Sequence, residues 1–284
     1  MTPRDVSELP LHVVEVLPNG PPHGPDAPSF LFLHGFAGSL FTWHSWTSRL
    51  AERGRVVLVD LKGFGDAPKP DDGRYTPADQ AAAVLELIES MDLRRLTLVG
   101  HSLGGGIALL TALRLLDAGS DRVSRLVLVA AAAYRQKLPP VVALARYPRL
   151  IRFLTWFLRP KFVVWAVLRS IVYDARSITS GQILAYARPL ETWEGVRSAM
   201  AAAQHIMPAD IDEVSARYSQ IEVPTLLLWG DADYVIPLWV GERLAEEIPD
   251  SRLEVLDLCG HIPPEEHPAE SLAVVENFLE QNPV

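Results

Sequence analysis

RLTLVGHSLGG (residues 95–105) decides the fold. Its first half is a short leucine- and valine-rich run, and its second half sets Gly100 and Gly104 on either side of Ser102. An apolar run that meets glycines and continues into LGGGIALLTALRLL (103–116) reads as strand, sharp turn and helix. Such a turn strains the serine backbone and lifts its hydroxyl above the sheet, while the flanking glycines leave room for close approach. The helix N-terminus favours negative charge developing nearby. Gly-x-Ser-x-Gly alone is a weak pattern that a tightly packed helix start can also produce. The strand–turn–helix context makes Ser102 a candidate nucleophile.

Outward from this stretch, similar runs recur: LHVVEVL (11–17), SFLFLH (29–34), RVVLVD (55–60), RLVLVA (125–130), PTLLLW (224–229) and RLEVLDL (252–258). Their near-continuous apolar character suits strands covered on both faces, as in a parallel sheet. Helical patterns lie between most of them, among them TPADQAAAVLELIESM (76–91), with Thr76 as N-cap and Pro77 at the first helical position. NGPPHGPDAP (19–28) reads as a turn region. The expected fold is α/β, a mostly parallel wound sheet flanked by helices, with an inserted helical cap. The alternation fails between about 135 and 215, so residues 1–134 and 216–284 are read as the core and 135–215 as the cap, or lid.

A serine hydroxyl is a poor nucleophile until a base removes its proton and a third group orients that base. After Ser102 the chain has three histidines, His205, His261 and His267. His261 follows the last strand directly, on a loop at a strand's C-terminal end, where open α/β sheets place their sites. His267 reads as a solvated residue at a helix start, and His205 as a structural or pocket-wall residue of the insert. For the acid, PTLLLW runs into GDADYVIP and offers Asp231 and Asp233. Position does not separate them, although an Asp after Gly230 can simply form a turn with the backbone.

Composition narrows the setting. The chain has 284 residues, 49% of them hydrophobic, and a net charge of −9. The length suits one large α/β domain, or one carrying an insert. The single cysteine, Cys259, leaves no internal disulfide and fits a reducing, cytoplasmic compartment. The N-terminus lacks the basic-then-apolar build of a secretory signal. No His/Cys/Asp cluster has metal-ligand spacing and no nucleotide fingerprint occurs, so neither metal nor cofactor is expected. Between Asp121 and Asp174 there is no Asp or Glu but there are ten Arg or Lys, which leaves 16 basic against 35 acidic residues elsewhere. Nucleic acid is a weak candidate partner, because these basic residues sit among bulky apolar ones without a recognition motif.

Four motifs in order, HGFAGSLFTW (34–43), DLKGFGDAPKP (60–70), GHSLGG (100–105) and the pair WGDADYVIP (229–237) with GHIPPEEHP (260–268), make the chain resemble the α/β-hydrolase superfamily. The resemblance is to its cap-bearing branch of esterases, lipases, carbon–carbon bond hydrolases and perhydrolases, and covers nearly the whole chain apart from the cap. It implies Ser102 as nucleophile, His261 as base and Asp233 as orienting acid, the last residue of a Gly-x-x-Asp turn, with Asp231 as the fallback. It also implies an oxyanion hole from the backbone N–H groups of Phe36 and Leu103. Dehalogenases and epoxide hydrolases of this fold use Asp at the nucleophile position, so Ser102 speaks against those chemistries. Asp66-Ala67 departs from the family's usual small hydroxyl residue after Gly65, in a loop read as structural.

RFLTWFLRPKFVVWAVLR (152–169) falls within the insert. A helix over Tyr147–Leu158 would gather Tyr147, Leu150, Ile151, Leu154 and Leu158 on one face, with Arg146, Arg149 and Arg152 opposite. A second, over Lys161–Tyr173, is apolar all round and at ~1.5 Å per residue too short to span a bilayer. Packing on the core together with an apolar acyl pocket is the first explanation of this segment, and weak contact with an anionic membrane the second. The expected activity is a serine esterase of the carboxylesterase or lipase type, acting on small hydrophobic esters through an acyl-serine. A carbon–carbon bond hydrolase acting on a vinylogous diketone is the alternative, and would call for an arginine in the pocket. A non-catalytic ligand-binding protein ranks below both. Oligomeric state is left open by the sequence.

Overall fold

The computed structural model describes residues 5–16, 27–137, 140–154 and 157–284. Seven strands form one sheet: β1 (His12–Val16), β2 (Ser29–Leu33), β3 (Arg55–Asp60), β4 (Leu96–His101), β5 (Val123–Val129), β6 (Thr225–Gly230) and β7 (Ser251–Leu256). Their spatial order is β1-β3-β2-β4-β5-β6-β7. β1 runs antiparallel to β3, and every other pairing is parallel. All seven expected strands form, within one or two residues of their sequence runs. Full cover on both faces holds only for the inner ones. β1 and β7 lie at the sheet edges and are partly exposed, because each has a neighbour on one side only. Of the turn region 19–28, residues 19–26 lie outside the described residues.

One face of the sheet is covered by α1 (His44–Ala51) and the C-terminal helix (Pro268–Gln281), with Trp43 and Trp46 buried beside them. α2 (Pro77–Ser90), α3 (Leu103–Asp117) and α10 (Trp239–Glu247) cover the other face. α2 starts where the sequence says it should: Thr76 accepts from the Asp79 amide and the Asp79 side chain returns the bond, a capping box followed by Pro77. At ~25 cal/mol per Å² of apolar surface, each Leu or Val buried here contributes roughly 1.5–3 kcal/mol, which is why the sheet can hold strained loops at its ends.

Between β5 and β6 the described residues form α4 (Pro140–Ala143), α5 (Pro148–Leu154), α6 (Pro160–Ile171), α7 (Ser180–Ala187), α8 (Trp193–Gln204) and α9 (Ile211–Ser215). Val164 and Leu168 of α6 pack with Tyr186 and Ala187 of α7 and with Ile262. Two expectations are corrected. α5 is only seven residues long: Tyr147 and Leu150 are exposed, Ile151 is half-buried, and Leu158 lies beyond the helix end, bordering the cavity while still partly open to solvent. α6 is not buried all round: it starts at Pro160, which initiates this helix rather than merely ending the one before, and it buries one face while Phe162 and Trp165 stay exposed. The physical reason is that helices lying over a cavity turn one face inward, and nothing among the described residues covers the other. Thr155 and Trp156, and the side chains of Arg146 and Leu154, lie outside the described residues.

Candidate active site

The parallel strands bring four loops together at their C-terminal ends. Leu33 lies level with Gly100 and His101 with Val129, so the loops after β2 and β4 leave the sheet side by side. Ser102 takes φ 53° and ψ −116° between β4 and α3. It is held there from both sides. Its N–H donates to the Val129 carbonyl at 2.9 Å, and its own carbonyl accepts from Gly105, Gly106 and Ala132 at 3.0–3.1 Å. Gly104 is required by close approach, since a Cβ there would lie 2.2 Å from the Leu33 carbonyl oxygen.

His261 Nε2 lies 3.0 Å from Ser102 Oγ, and His261 Nδ1 lies 2.8 Å from Asp233 Oδ2. All three side chains are buried. The other oxygen of Asp233 accepts from the amides of Val235 and Ile236 at 2.8 and 2.9 Å, which fixes the carboxylate plane. Asp231 is exposed and accepts from the Cys259 amide at 3.1 Å, so it is Asp233 that the structure brings to His261. Phe36 and Leu103 line the same cavity as Ser102, and neither amide makes a backbone hydrogen bond within the described residues. Leu103 is the first residue of α3, where a helix has no internal acceptor for its N–H.

The His261 loop is fastened to the segment after α6. The His261 amide donates to the Ile171 carbonyl at 2.9 Å. The Glu266 carboxylate accepts from the amides of Gly260, Ile262 and Tyr173 at 2.7–3.0 Å. Gly260 makes this approach sterically feasible, because a Cβ there would meet the Ile171 oxygen at 2.5 Å. One residue before Glu266, the buried Glu265 accepts from Gln182 Nε2 at 2.7 Å and from the Tyr186 hydroxyl, which also bonds Thr42 Oγ1 at 3.0 Å. Burial pushes the Glu265 carboxyl up to about 7, against the pull of its bonds from Tyr186 and Gln182, with Glu266 adding to the rise. Burial likewise holds Tyr186 well above the ordinary phenol range.

Sequence reasoning missed this network, since a Pro-Pro-Glu-Glu helix start reads as solvated charge. It also passed over His101, whose Nε2–H donates to the His261 carbonyl at 2.8 Å. Burial, with His261 close by, lowers His101 to about 3, so it stays neutral and cannot compete for the proton that His261 handles. His34 bridges the ends of β2 and β3: its Nδ1–H donates to the Gly35 carbonyl at 2.7 Å and its Nε2 accepts from the Leu61 amide at 3.0 Å. His205 is exposed at the end of α8 and is absent from the cavity wall, contrary to expectation. His267 is half-buried rather than fully solvated, 3.2 Å from the Leu258 carbonyl. Cys259 is buried, and burial raises its thiol, which keeps it protonated and unreactive. The Asp66 loop is tied down through its backbone: Asp60 accepts from the Asp66 amide at 2.9 Å and from Leu40 at 2.7 Å.

Above Ser102 opens a cavity of about 630 Å³, within the range of small-molecule sites. Its wall is mostly apolar, drawing Ile151, Val163, Val167, Val196 and Met200 from the helices between β5 and β6. No Arg or Lys lines it among the described residues, whereas Glu191 stands on its wall. Gln136 also lines it, with a buried side-chain oxygen that has no partner.

A mostly parallel seven-stranded sheet with a hydroxyl, an imidazole and a carboxylate in line beyond its strand ends defines a hydrolase of the α/β class. Residues 30–274 match the alpha/beta hydrolase family, and the chain belongs to that family. It is 28% identical over 245 residues to the uncharacterized hydrolase YugF of Bacillus subtilis, covering 86% of this chain and 87% of that one. It is 29% identical over 262 residues to a 2-hydroxymuconate semialdehyde hydrolase of Pseudomonas sp. strain CF600, covering 88% and 86%. Among solved structures, an esterase from Exiguobacterium antarcticum superposes with a TM-score of 0.74 at 24% identity, over 95% of each chain.

Proposed function

We propose that this protein is a serine hydrolase that cleaves hydrophobic carboxylic esters. The observation that carries this reading is the Ser102–His261–Asp233 chain of hydrogen bonds opening into an apolar cavity without a basic residue among its described lining. Ser102 Oγ attacks the ester carbonyl while His261 Nε2 takes its proton, and Asp233 holds Nδ1–H and stabilises the imidazolium. The carbonyl oxygen becomes an oxyanion beside the amides of Phe36 and Leu103. A preorganised donor of this kind is worth about 2.7–4 kcal/mol elsewhere. Collapse expels the alcohol, which takes the proton from His261. Water, deprotonated by the same imidazole, then releases the acid from the acyl-serine. The helices between β5 and β6 act as the lid that keeps bulk water from the acyl chain.

Carbon–carbon bond hydrolysis is the second reading, favoured by the relative named for 2-hydroxymuconate semialdehyde. That substrate carries a carboxylate by its name. An apolar wall bearing Glu191 offers such a group repulsion rather than a partner. A panel of p-nitrophenyl esters run beside 2-hydroxymuconate semialdehyde separates the two. Ester turnover at least a hundredfold above consumption of the semialdehyde is expected, and the reverse ratio would replace the first reading by the second.

A further inference from the structure

The outer faces of α5 and α6 carry what the cavity does not use. Phe153, Phe157 and Phe162 are 60%, 69% and 59% exposed, with Tyr147, Leu150 and Trp165 exposed beside them. The rings associate with one another rather than with the body: Phe153 lies 5.1 Å from Phe157 and Phe162 stacks at 5.9 Å on Trp165. Exposed basic residues share these faces. Arg149 precedes Leu150, and Arg159 and Lys161 flank the first turn of α6. None of these three has an ion-pair partner among the described residues, and Arg169 continues the outer face of α6. Monomeric proteins rarely leave so many large apolar side chains together in water, so the patch calls for an occupant.

Charge identifies which occupant. Not one Asp or Glu falls between Asp121 and Asp174, while the remainder of the chain is strongly acidic. A second copy meeting this face about a two-fold axis would set unpaired cations against the same cations. An anionic lipid surface supplies the complementary charge and a layer in which aromatic rings sit favourably, with Arg and Lys reaching out to the headgroups. No helix among the described residues is long and apolar enough to cross a membrane, which leaves docking in the interface. We infer that the outer face of α5 and α6, with Phe157 between them, built on Phe153, Phe157, Phe162 and Trp165 with Arg149, Arg159 and Lys161, docks on anionic bilayers. The inner face of α6 lines the cavity through Val163 and Val167, so docking brings the cavity roof to the surface where apolar esters collect.

The test is flotation of the Ser102→Ala protein, which cannot hydrolyse lipid by the proposed route, with phosphatidylcholine vesicles and with vesicles containing about 30% phosphatidylglycerol. Binding to the anionic vesicles alone, weakened by high salt, is expected. Each basic residue near such a surface is worth about 1 kcal/mol, or about fivefold, so Arg149→Gln with Lys161→Gln should weaken partitioning about 25-fold. Phe157→Ser with Phe162→Ser should weaken it at least tenfold. In an otherwise unmutated chain, both pairs should leave hydrolysis of a short soluble ester unchanged, since none of the four residues lines the cavity. No binding to anionic vesicles at low salt overturns the inference. So does equal binding to both vesicle types, or a concentration-dependent dimer that Phe157→Ser with Phe162→Ser returns to monomer without any vesicle binding. None of these outcomes touches the ester reading.

Discussion

At the scale of single residues, the spacing of motifs named Ser102 and His261, because a glycine-flanked serine after a strand and a histidine after the last strand each have one natural place. Position alone could not separate Asp231 from Asp233, two residues apart on one turn; the family resemblance chose Asp233 and kept Asp231 as the fallback. The structure separates them by direction: Asp233 turns to the imidazole, while Asp231 turns back to the Cys259 amide. If Asp233 orients the base, Asp233→Asn should lower kcat about 10⁴-fold by stabilising the wrong imidazole tautomer. Asp231→Asn should leave kcat within a few-fold and cost about 1 kcal/mol of stability through one weakened hydrogen bond. Steady-state kinetics with urea unfolding of the two variants checks both, and near-normal kcat in Asp233→Asn would remove it from the relay.

At the scale of elements, helix starts written in local chemistry were legible, as with Thr76, Pro77 and the Asp79 capping box of α2. The fastening of the His261 loop was not, because its partners are distant in sequence. Ile171, Tyr173, Gln182 and Tyr186 all reach it from the helices between β5 and β6. Gly260→Ala puts a methyl against the Ile171 carbonyl and should shift His261, and a misplacement near 1 Å costs about a hundredfold in kcat. The check is kcat with circular dichroism to confirm folding; an unchanged kcat would show that the loop tolerates the shift. Glu265 gives a second prediction. Its folded value of about 7 stands above its ordinary 4.5, so the folded protein holds the proton longer than the unfolded chain. Its contribution to stability is therefore full below about pH 4.5 and is lost, by about 3 kcal/mol, as pH rises to about 7. Glu265→Gln cannot titrate. The stability difference between wild type and Glu265→Gln, from urea unfolding, should fall across that window, and a flat difference would contradict the assignment.

At the scale of the whole molecule, alternating runs announced the wound sheet, and the loss of alternation after β5 coincides with the helices that lie between β5 and β6. What the sequence could not convey was which side of each inserted helix meets the cavity, since α6 is apolar on both. The structure assigns Val163 and Val167 to the inside and Phe162 and Trp165 to the outside. An apolar cavity of about 630 Å³ predicts that kcat/KM rises with acyl length, by at most about fourfold per methylene, until the wall is filled. A flat profile would mean that the acyl chain lies elsewhere. The central claim, that Ser102 is the nucleophile of a hydrolase, is met most directly by covalent capture. Intact-protein mass after treatment with a fluorophosphonate should show one adduct, mapped by peptide digestion to the segment carrying Ser102 and lost in Ser102→Ala. A folded wild-type protein that gains no mass, or one modified equally in Ser102→Ala, would contradict it.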